Sequence, residues 1–383
     1  MKCKELFSVI DSLMESYVSI WESACDIESP TDFKAGVDAV GELFASLARE
    51  RGFSVEYFKQ PCAGNVVCIT MNPDAEGAPI CLSGHMDTVH ARGSFGTPRV
   101  RRDATKLYGP GVTDCKGGIV AGLLAMDALS RVGFTSRPVK LLLQSDEECN
   151  SIISNKETIK VICESAKNAI AFLNLEGHTR GEACLVRKGT ITFTFTVKGI
   201  TAHGAACADS GANAIAEAAY KILELEKLKD PVGITCNCGT IVGGTVPNTV
   251  PDFCEFKANI RFATREQLEW VRSYVREVAD TVHIKGCTCT VDNPLGRVAM
   301  EYSERNVALL ERMNEIYARN GLPILKMSMR GGASDAADVT SYGIPCVDSI
   351  GVTGGKIHTE HEYAELASLT EAAKRIAAVI YCL

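Results

Sequence analysis

The chain has 383 residues, 46% apolar and 23% charged, which is too long for one compact core and too hydrophobic to stay disordered, so two domains are expected. Forty Lys and Arg against 47 Asp and Glu give a formal net charge of −7, which excludes the general electrostatic footprint of a nucleic-acid or anionic-lipid binder and favours a small-molecule ligand. The longest stretch free of charge and strong polarity, Gly117 to Met126, covers half a membrane span, and Asp11 and Glu15 interrupt the start where a secretory signal needs an unbroken apolar core. Neither a transmembrane helix nor export is expected.

In chain order, Leu6, Ile10, Leu13, Met14 and Val18 recur at helical spacing and predict a helix over residues 4–19. Ser29-Pro30, an N-cap residue followed by proline at a first helical position, predicts the start of a second. Apolar runs at Val66–Thr70, Pro79–Ser83, Val139–Ser145 and Ala169–Leu175 alternate with loops and with a helix over 116–131. Strands covered by helices on both sides read this way. From Gly189 the character changes to the alternating strands ITFTFTVKG and DFCEFKANIRF, separated by an Ala-rich helix near 211–227 and followed by one near 265–280. Strand, helix, strand, strand, helix, strand is the order of a split βαβ unit. After Pro294 helices and short strands return, ending in a helix with a Ser368-x-x-Glu371 capping box. The expected fold class is α/β, with a mixed sheet between helices built from residues 1–186 and 295–383, and an α+β ferredoxin-like domain inserted at 187–294.

Three of the predicted strands lead into residues that bind metals: one into His85 and Asp87, one into Glu147 and Glu148, one into Glu176. Loops at the carboxyl ends of strands diverge from a fixed rim, which is where open α/β sheets bind ligands. His85 and Asp87, two apart on an extended chain, share a face, so Asp87 is placed to hold the imidazole in the tautomer that frees its other nitrogen. Asp114 follows GPGVT and precedes a helix whose N-terminus favours a carboxylate. Singly, each has a plainer reading: a Glu-Glu pair as a solvated turn, a loop His as surface, Asp114 as an N-cap. Together, acidic groups converging on one rim repel each other by roughly 4 kcal/mol per pair at ~4 Å and an effective dielectric of ~20, so cations are expected among them. With Asp114, Glu148 and Glu176 ionised, two divalent cations leave the site positive enough to hold one hydroxide.

The 17 cysteines are odd in number and scattered from Cys3 to Cys382 through core-like segments, which fits a reducing cytoplasm rather than a disulfide framework. The pairs Cys236/Cys238 and Cys287/Cys289 lie in strand-like runs whose alternate residues share a face, a geometry open to soft metals. Small core residues are the favoured reading, because neither pair has the C-x-x-C loop of a zinc knuckle.

The strings SGHMDTVH at 83–90, LYGPGVTDCKGG at 107–118, SDEE at 145–148, NLEG at 174–177, GITAHG at 199–204, GGTVPNTVP at 243–251, NIRF at 259–262 and HTEHEYA at 358–364 span nearly the whole chain. Their order resembles the M20 metallopeptidase and amidohydrolase family, which includes glutamate carboxypeptidase, aminoacylase, acetylornithine deacetylase and succinyl-diaminopimelate desuccinylase. The resemblance implies that Asp114 bridges two zinc ions, that His85 and Glu176 complete one and Glu148 and His358 the other, and that Glu147 is the general base. Cobalt and manganese suit the same N and O ligands. It further implies that Asp87 orients His85, that His203 stabilises the developing oxyanion, often in a partner subunit's site, and that Asn248, Arg261 and Gly332 hold the substrate. The inserted domain then serves as lid and dimerisation domain of a homodimer. The implied activity is cleavage of an amide bond to release an amino acid from an N-acyl amino acid or peptide. Alternatives are a di- or tripeptidase of the same family and a non-catalytic metal-binding protein on the same fold, with no nucleic-acid or membrane partner in any case.

His361 rivals His358, being three residues on; His358 is preferred because it follows Gly354-Gly355, read as flexible, and matches the family position. Asn150 stands where relatives often have Gly, so the adjacent loop is expected to differ in shape. Glu rather than Asp at 176 resembles the deacylase and carboxypeptidase branch. Cys115 and Cys149 flank Asp114 and Glu148, where a thiolate near zinc would be open to oxidation. GPGVTD and GVTGGK are Gly-rich, but Asp114 stands where a dinucleotide fingerprint needs Gly, and Ile350 and Ile357 break a P-loop. Ser334, in GASDA, lacks both flanking glycines of a nucleophile elbow.

Overall fold

A computed structural model describes residues 2–383, which divide into two units: one of the residues up to Val186 with Tyr302–Met329 and Ser334–Leu383, the other of Arg187–Glu301 with Arg330–Ala333. The main sheet of the first unit runs in the order Ser54–Phe58, Val66–Met71, Val139–Gln144, Ile80–His85, Ala171–Asn174, Cys346–Val347. The last four strands are mutually parallel, whereas the first two pair antiparallel with their neighbours. The sheet is therefore mixed, and four carboxyl ends open on one rim.

Ile80–His85 is buried at every residue, as a central strand covered on both faces must be. The helix Lys116–Arg131 packs across it. Gly84 permits that approach, since a Cβ there would lie 2.7 Å from Ile119 Cγ1. Helices Lys2–Asp26 and Ala367–Cys382 pack on Lys116–Arg131 and share its core, which contains Trp21, Leu124 and Ile376. Each such large apolar side chain contributes about 1.5–3 kcal/mol through burial. Trp21 also donates its indole N–H to Val112 O at 3.0 Å, so the core grips the loop that carries Asp114.

Two terminal signals were misleading. The second helix is Lys34–Glu50 rather than one starting at Pro30. Ser29 and Pro30 instead pair with the segment after Ile80–His85: Ser29 Oγ donates to Met86 O at 2.7 Å and the Thr88 N–H to Ser29 O at 2.9 Å. The capping box at Ser368 does not form, because the last helix begins one residue earlier, at Ala367. Ser368 Oγ donates to Glu365 O at 2.6 Å, and Glu371 pairs with Arg180 at 3.1 Å.

The second unit is a four-stranded antiparallel sheet in the order Thr235–Gly243, Phe253–Phe262, Gly189–Lys198, Thr288–Val291, with helices Ala214–Leu225 and Arg265–Asp280. In chain order these strands are second, third, first and fourth, which is the ferredoxin-like arrangement of a split βαβ unit. Its core is separate, built on Phe193, Phe195, Phe256 and Phe262. The unit continues beyond residue 294 because Arg297 bridges to Thr190 and Met300 to Arg187. Inside it, buried Lys221 pairs with Glu217 at 3.0 Å and donates to Val278 O, Ala279 O and Thr281 O, closing the carboxyl end of Arg265–Asp280. Glu217 in turn accepts the His283 and Ile284 N–H groups. Removing one member of a buried pair strands the other charge. Glu217→Ala is therefore expected to destabilise the protein by about 3–5 kcal/mol in denaturant unfolding; a loss below ~1 kcal/mol would refute this role.

Candidate metal centre

The rim of the first unit's sheet collects the candidate ligands. His85 ends its strand, Glu147 and Glu148 follow Val139–Gln144, and Glu176 follows Ala171–Asn174. A small antiparallel sheet supplies the rest. Lys106–Tyr108 leads into the 109–114 loop and pairs with Tyr363–Glu365, which pairs with Gly354–Gly355. This pairing sets the loop bearing His358 beside the loop bearing Asp114. Gly354 is needed for closeness rather than flexibility, since a Cβ there would lie 2.0 Å from Thr113 Oγ1.

Asp114 is the meeting point. Its Oδ1 lies 3.3 Å from His85 Nε2 and its Oδ2 3.1 Å from His358 Nε2. His85 Nε2 is also 3.6 Å from Glu176 Oε1, and His358 Nε2 is 3.5 Å from Glu148 Oε2. His85, Asp114 and Glu148 each bring one donor atom within 4.8 Å of the others, as do His85, Cys115 and Glu176. His358 is half-exposed beside an open pocket of about 470 Å³ that also includes His90 and His361. The ring of His361 makes no ion pair or hydrogen bond among the described residues; only its backbone N–H is engaged, by Thr359.

Asp87, fully buried, organises two ligands at once. Its backbone carbonyl accepts from His85 Nδ1 at 2.9 Å, which fixes the tautomer and turns Nε2 toward Asp114. Its carboxylate accepts the N–H groups of Glu147 and Glu148 at 3.2 and 3.1 Å and the Thr31 hydroxyl at 2.8 Å. The sequence reading placed the Asp87 side chain on His85, but the backbone carbonyl makes the hydrogen bond, with the carboxylate at 3.4 Å, and the second role was missed. It also missed Glu362, a buried carboxylate that accepts the N–H groups of Gly111, Thr113 and Asp114 at 3.0, 2.8 and 3.0 Å. The available signal was its place inside the string HTEHEYA. Asn150 adopts φ 58°, the left-handed conformation that Gly takes freely and Asn tolerates.

Burial opposes ionisation of Asp114, but hydrogen bonds from His358 and His85 outweigh it and hold the carboxyl well below the usual range. Burial, with the charge of Asp114, pushes Glu148 up to about 8 despite its hydrogen bond to His358. Glu176 is pushed well up by burial and by Asp114. Hydrogen bonds to Asp114 and Glu148 lift His358 to about 10. Burial disfavours an imidazolium at His85, yet the Cys115 sulfur and the Asp114 and Asp87 carboxylates raise it well above the usual value. Burial also pushes the Cys115 thiol up to about 12 and raises Cys149. Ser334 is buried, accepts the Ala336 N–H as an N-cap and accepts from Asn174 Nδ2, a structural role that removes the serine-nucleophile rival.

Against known families, residues 81–381 match the sequence profile of the peptidase family M20/M25/M40. The chain belongs to this family. M20 membership makes it a metal-dependent hydrolase. Carboxypeptidase G2 of Pseudomonas sp. (strain RS-16) is 26% identical over 95% of this chain and 88% of its own length. A succinyl-diaminopimelate desuccinylase of Nitrosospira multiformis is 26% identical over 90% of this chain and 92% of its own. The crystal structure of a tripeptidase from Staphylococcus aureus has the same fold, with a TM-score of 0.77, 22% identity and coverage of 96% and 97% of the two chains.

The remaining residues singled out from the sequence lie in the second unit. His203 sits on a two-residue strand whose partner carries Thr249, and Asn248 O accepts the Gly204 N–H at 2.7 Å. His203 Nδ1 accepts from the Ala205 N–H at 3.1 Å, which assigns the ring proton to Nε2. Arg261 Nη1 donates to Gly331 O at 2.8 Å and Arg187 Nη1 to Gly332 O at 3.2 Å.

The donor set of the first unit fits divalent cations: two imidazoles with outward Nε2 atoms and carboxylates packed too closely to ionise together. Because His358, lifted to about 10, and Glu148, pushed up to about 8, hold protons at pH 7 in the metal-free protein, binding must expel them. Zinc added to metal-free enzyme at pH 7 is expected to release protons into a weak buffer, with affinity rising from pH 7 toward 10 as His358 deprotonates. A pH-independent affinity would contradict these shifts. Glu362→Ala is expected to weaken metal binding about 10–100-fold, the scale of losing a group that orients a ligand, as measured by competition with a chelator.

Proposed function

We propose that the protein is a dinuclear metal-dependent amidohydrolase that releases an amino acid from an N-acyl amino acid or a peptide. The observation that carries this reading is Asp114, whose two oxygens approach the Nε2 atoms of two different histidines. A carboxylate bridges two cations with one oxygen each. His85 and Glu176 would hold one ion, and His358 and Glu148 the other. Zinc is the ion proposed, given imidazole and carboxylate donors. Bound ions of this kind supply Lewis acidity, polarising a carbonyl and lowering the pKa of water.

The chain's own residues do the rest. Glu147, anchored through its backbone N–H to Asp87, takes the proton of the attacking water and delivers it to the leaving nitrogen. Its neighbour Glu148, whose Oε2 lies 3.5 Å from His358 Nε2, would serve as ligand. His203, with its proton on Nε2, donates toward the developing oxyanion. Asn248, Arg261 and Gly332 hold the substrate, with the remaining N–H groups of Arg261 suited to a carboxylate. The names of the two relatives, a carboxypeptidase and a desuccinylase, and Glu rather than Asp at 176 support an acyl-amino acid or carboxyl-terminal peptide substrate.

A homodimer through the second unit belongs to the same reading. Tyr220, Leu223, Ile241 and Val242 expose apolar surface there, and the strand Thr235–Gly243 is a sheet edge. A cytoplasmic location is supported by 17 free cysteines.

Zinc-loaded enzyme screened against N-acyl amino acids and dipeptides tests the function. Glu147→Gln is expected to lower kcat by about 10²–10⁴-fold while retaining its metal. Equal rates for the variant and the wild type would remove the mechanism.

A further inference from the structure

The two C-x-C pairs of the second unit have different surroundings. Cys236 and Cys238 lie on Thr235–Gly243 with side chains on one face, Cys236 buried and Cys238 half-buried. Glu226, at the carboxyl cap of Ala214–Leu225, reaches the same place, and its Oε1 accepts the Cys238 N–H at 2.6 Å. One donor atom from each of Glu226, Cys236 and Cys238 falls within 4.8 Å of the other two. No such third donor assembles with Cys287 and Cys289 among the described residues.

We propose that Glu226, Cys236 and Cys238 form a binding site for one thiophilic divalent cation, of the class of zinc and cadmium. Two sulfurs and one carboxylate oxygen select such ions over magnesium or calcium. Lys229 supplies the local counter-charge, with its Nζ 2.5 Å from Glu226 Oε2 and 2.6 Å from Cys236 O. Two thiolates, one carboxylate and one ammonium leave a deficit that a single divalent ion cancels. Binding takes both sulfurs as thiolates, their protons pass to solvent, and Lys229 keeps its own. The contact between the two sulfurs lowers the Cys236 thiol and raises that of Cys238, so a bound ion has to displace the Cys238 proton. A register break between Cys238 and Thr240 forms a bulge, a device that re-aims neighbouring side chains. Glu226 and Lys229 are partly exposed, which leaves an entry path. A bound ion would tie the end of the helix Ala214–Leu225 to the sheet edge.

Cadmium is the probe. Full-length, zinc-loaded protein in a non-thiol reductant is titrated while the ultraviolet cadmium–thiolate band is followed. Wild type is expected to show one equivalent that is absent from Cys236→Ser and from Cys238→Ser but retained in the Cys287→Ser/Cys289→Ser double variant. In Glu226→Gln the same equivalent should need about ten-fold more cadmium. Equal bands in wild type and Cys236→Ser overturn the proposal, as does loss of that equivalent in the Cys287→Ser/Cys289→Ser variant. If a serine variant loses its circular dichroism, Glu226→Gln decides, and unchanged cadmium affinity there overturns the site.

Discussion

A buried carboxylate shared between two imidazoles keeps its charge only while positive charge surrounds it, and Asp114 occupies that position. In the metal-free protein His358, lifted to about 10, provides that charge, and the His85 ring is raised well above its usual value beside the same carboxylate. Glu148 and Glu176 behave in the opposite way, since burial disfavours their charged forms. Divalent cations reverse both conditions together, drawing protons from the rings and from the acids. The cluster is thus balanced as a proton-holding or a metal-holding assembly, and burial is what makes the two states exclusive.

That balance requires loops held to within fractions of an ångström, and regular secondary structure does not reach them. Asp87 and Glu362 do the work instead, each a buried carboxylate accepting two or three backbone N–H groups. One fixes the chain at Glu147 and Glu148, the other the chain from Gly111 to Asp114. Buried N–H groups need acceptors in any fold, and here the acceptors also determine where functional side chains emerge. Trp21 adds a third anchor from the hydrophobic core to Val112 O, so packing of the opening helix and placement of Asp114 are physically linked.

The second unit follows a separate economy of charge. Lys221, fully buried, satisfies its ammonium on Glu217 and three carbonyls, whereas the half-exposed Lys229 pairs with Glu226 and donates to Cys236 O. A Glu–Lys pair within the helix Ala214–Leu225 therefore ends in a structural clamp, and one just past its carboxyl end in an accessible donor cluster.

Local periodicity alone determined much of this protein. The helices over 116–131 and 265–280, the buried strands of the main sheet and the split βαβ order of the insert were all legible, because spacings of two and 3.6 residues report directly on which face is buried. The ligand types at strand ends were legible too, because the rim of a parallel sheet is a place that topology sets. Signals that compete with tertiary contacts were not. Ser29-Pro30 has the form of a helix start, yet hydrogen bonds to Met86 and Thr88 claim it. Gly354 has the form of a hinge, yet packing against Thr113 requires it. Only the folded chain decided that His358 rather than His361 meets Asp114 and that Glu362 supports that loop. These depend on pairing between segments 248 residues apart, and no local pattern carries information about such a contact.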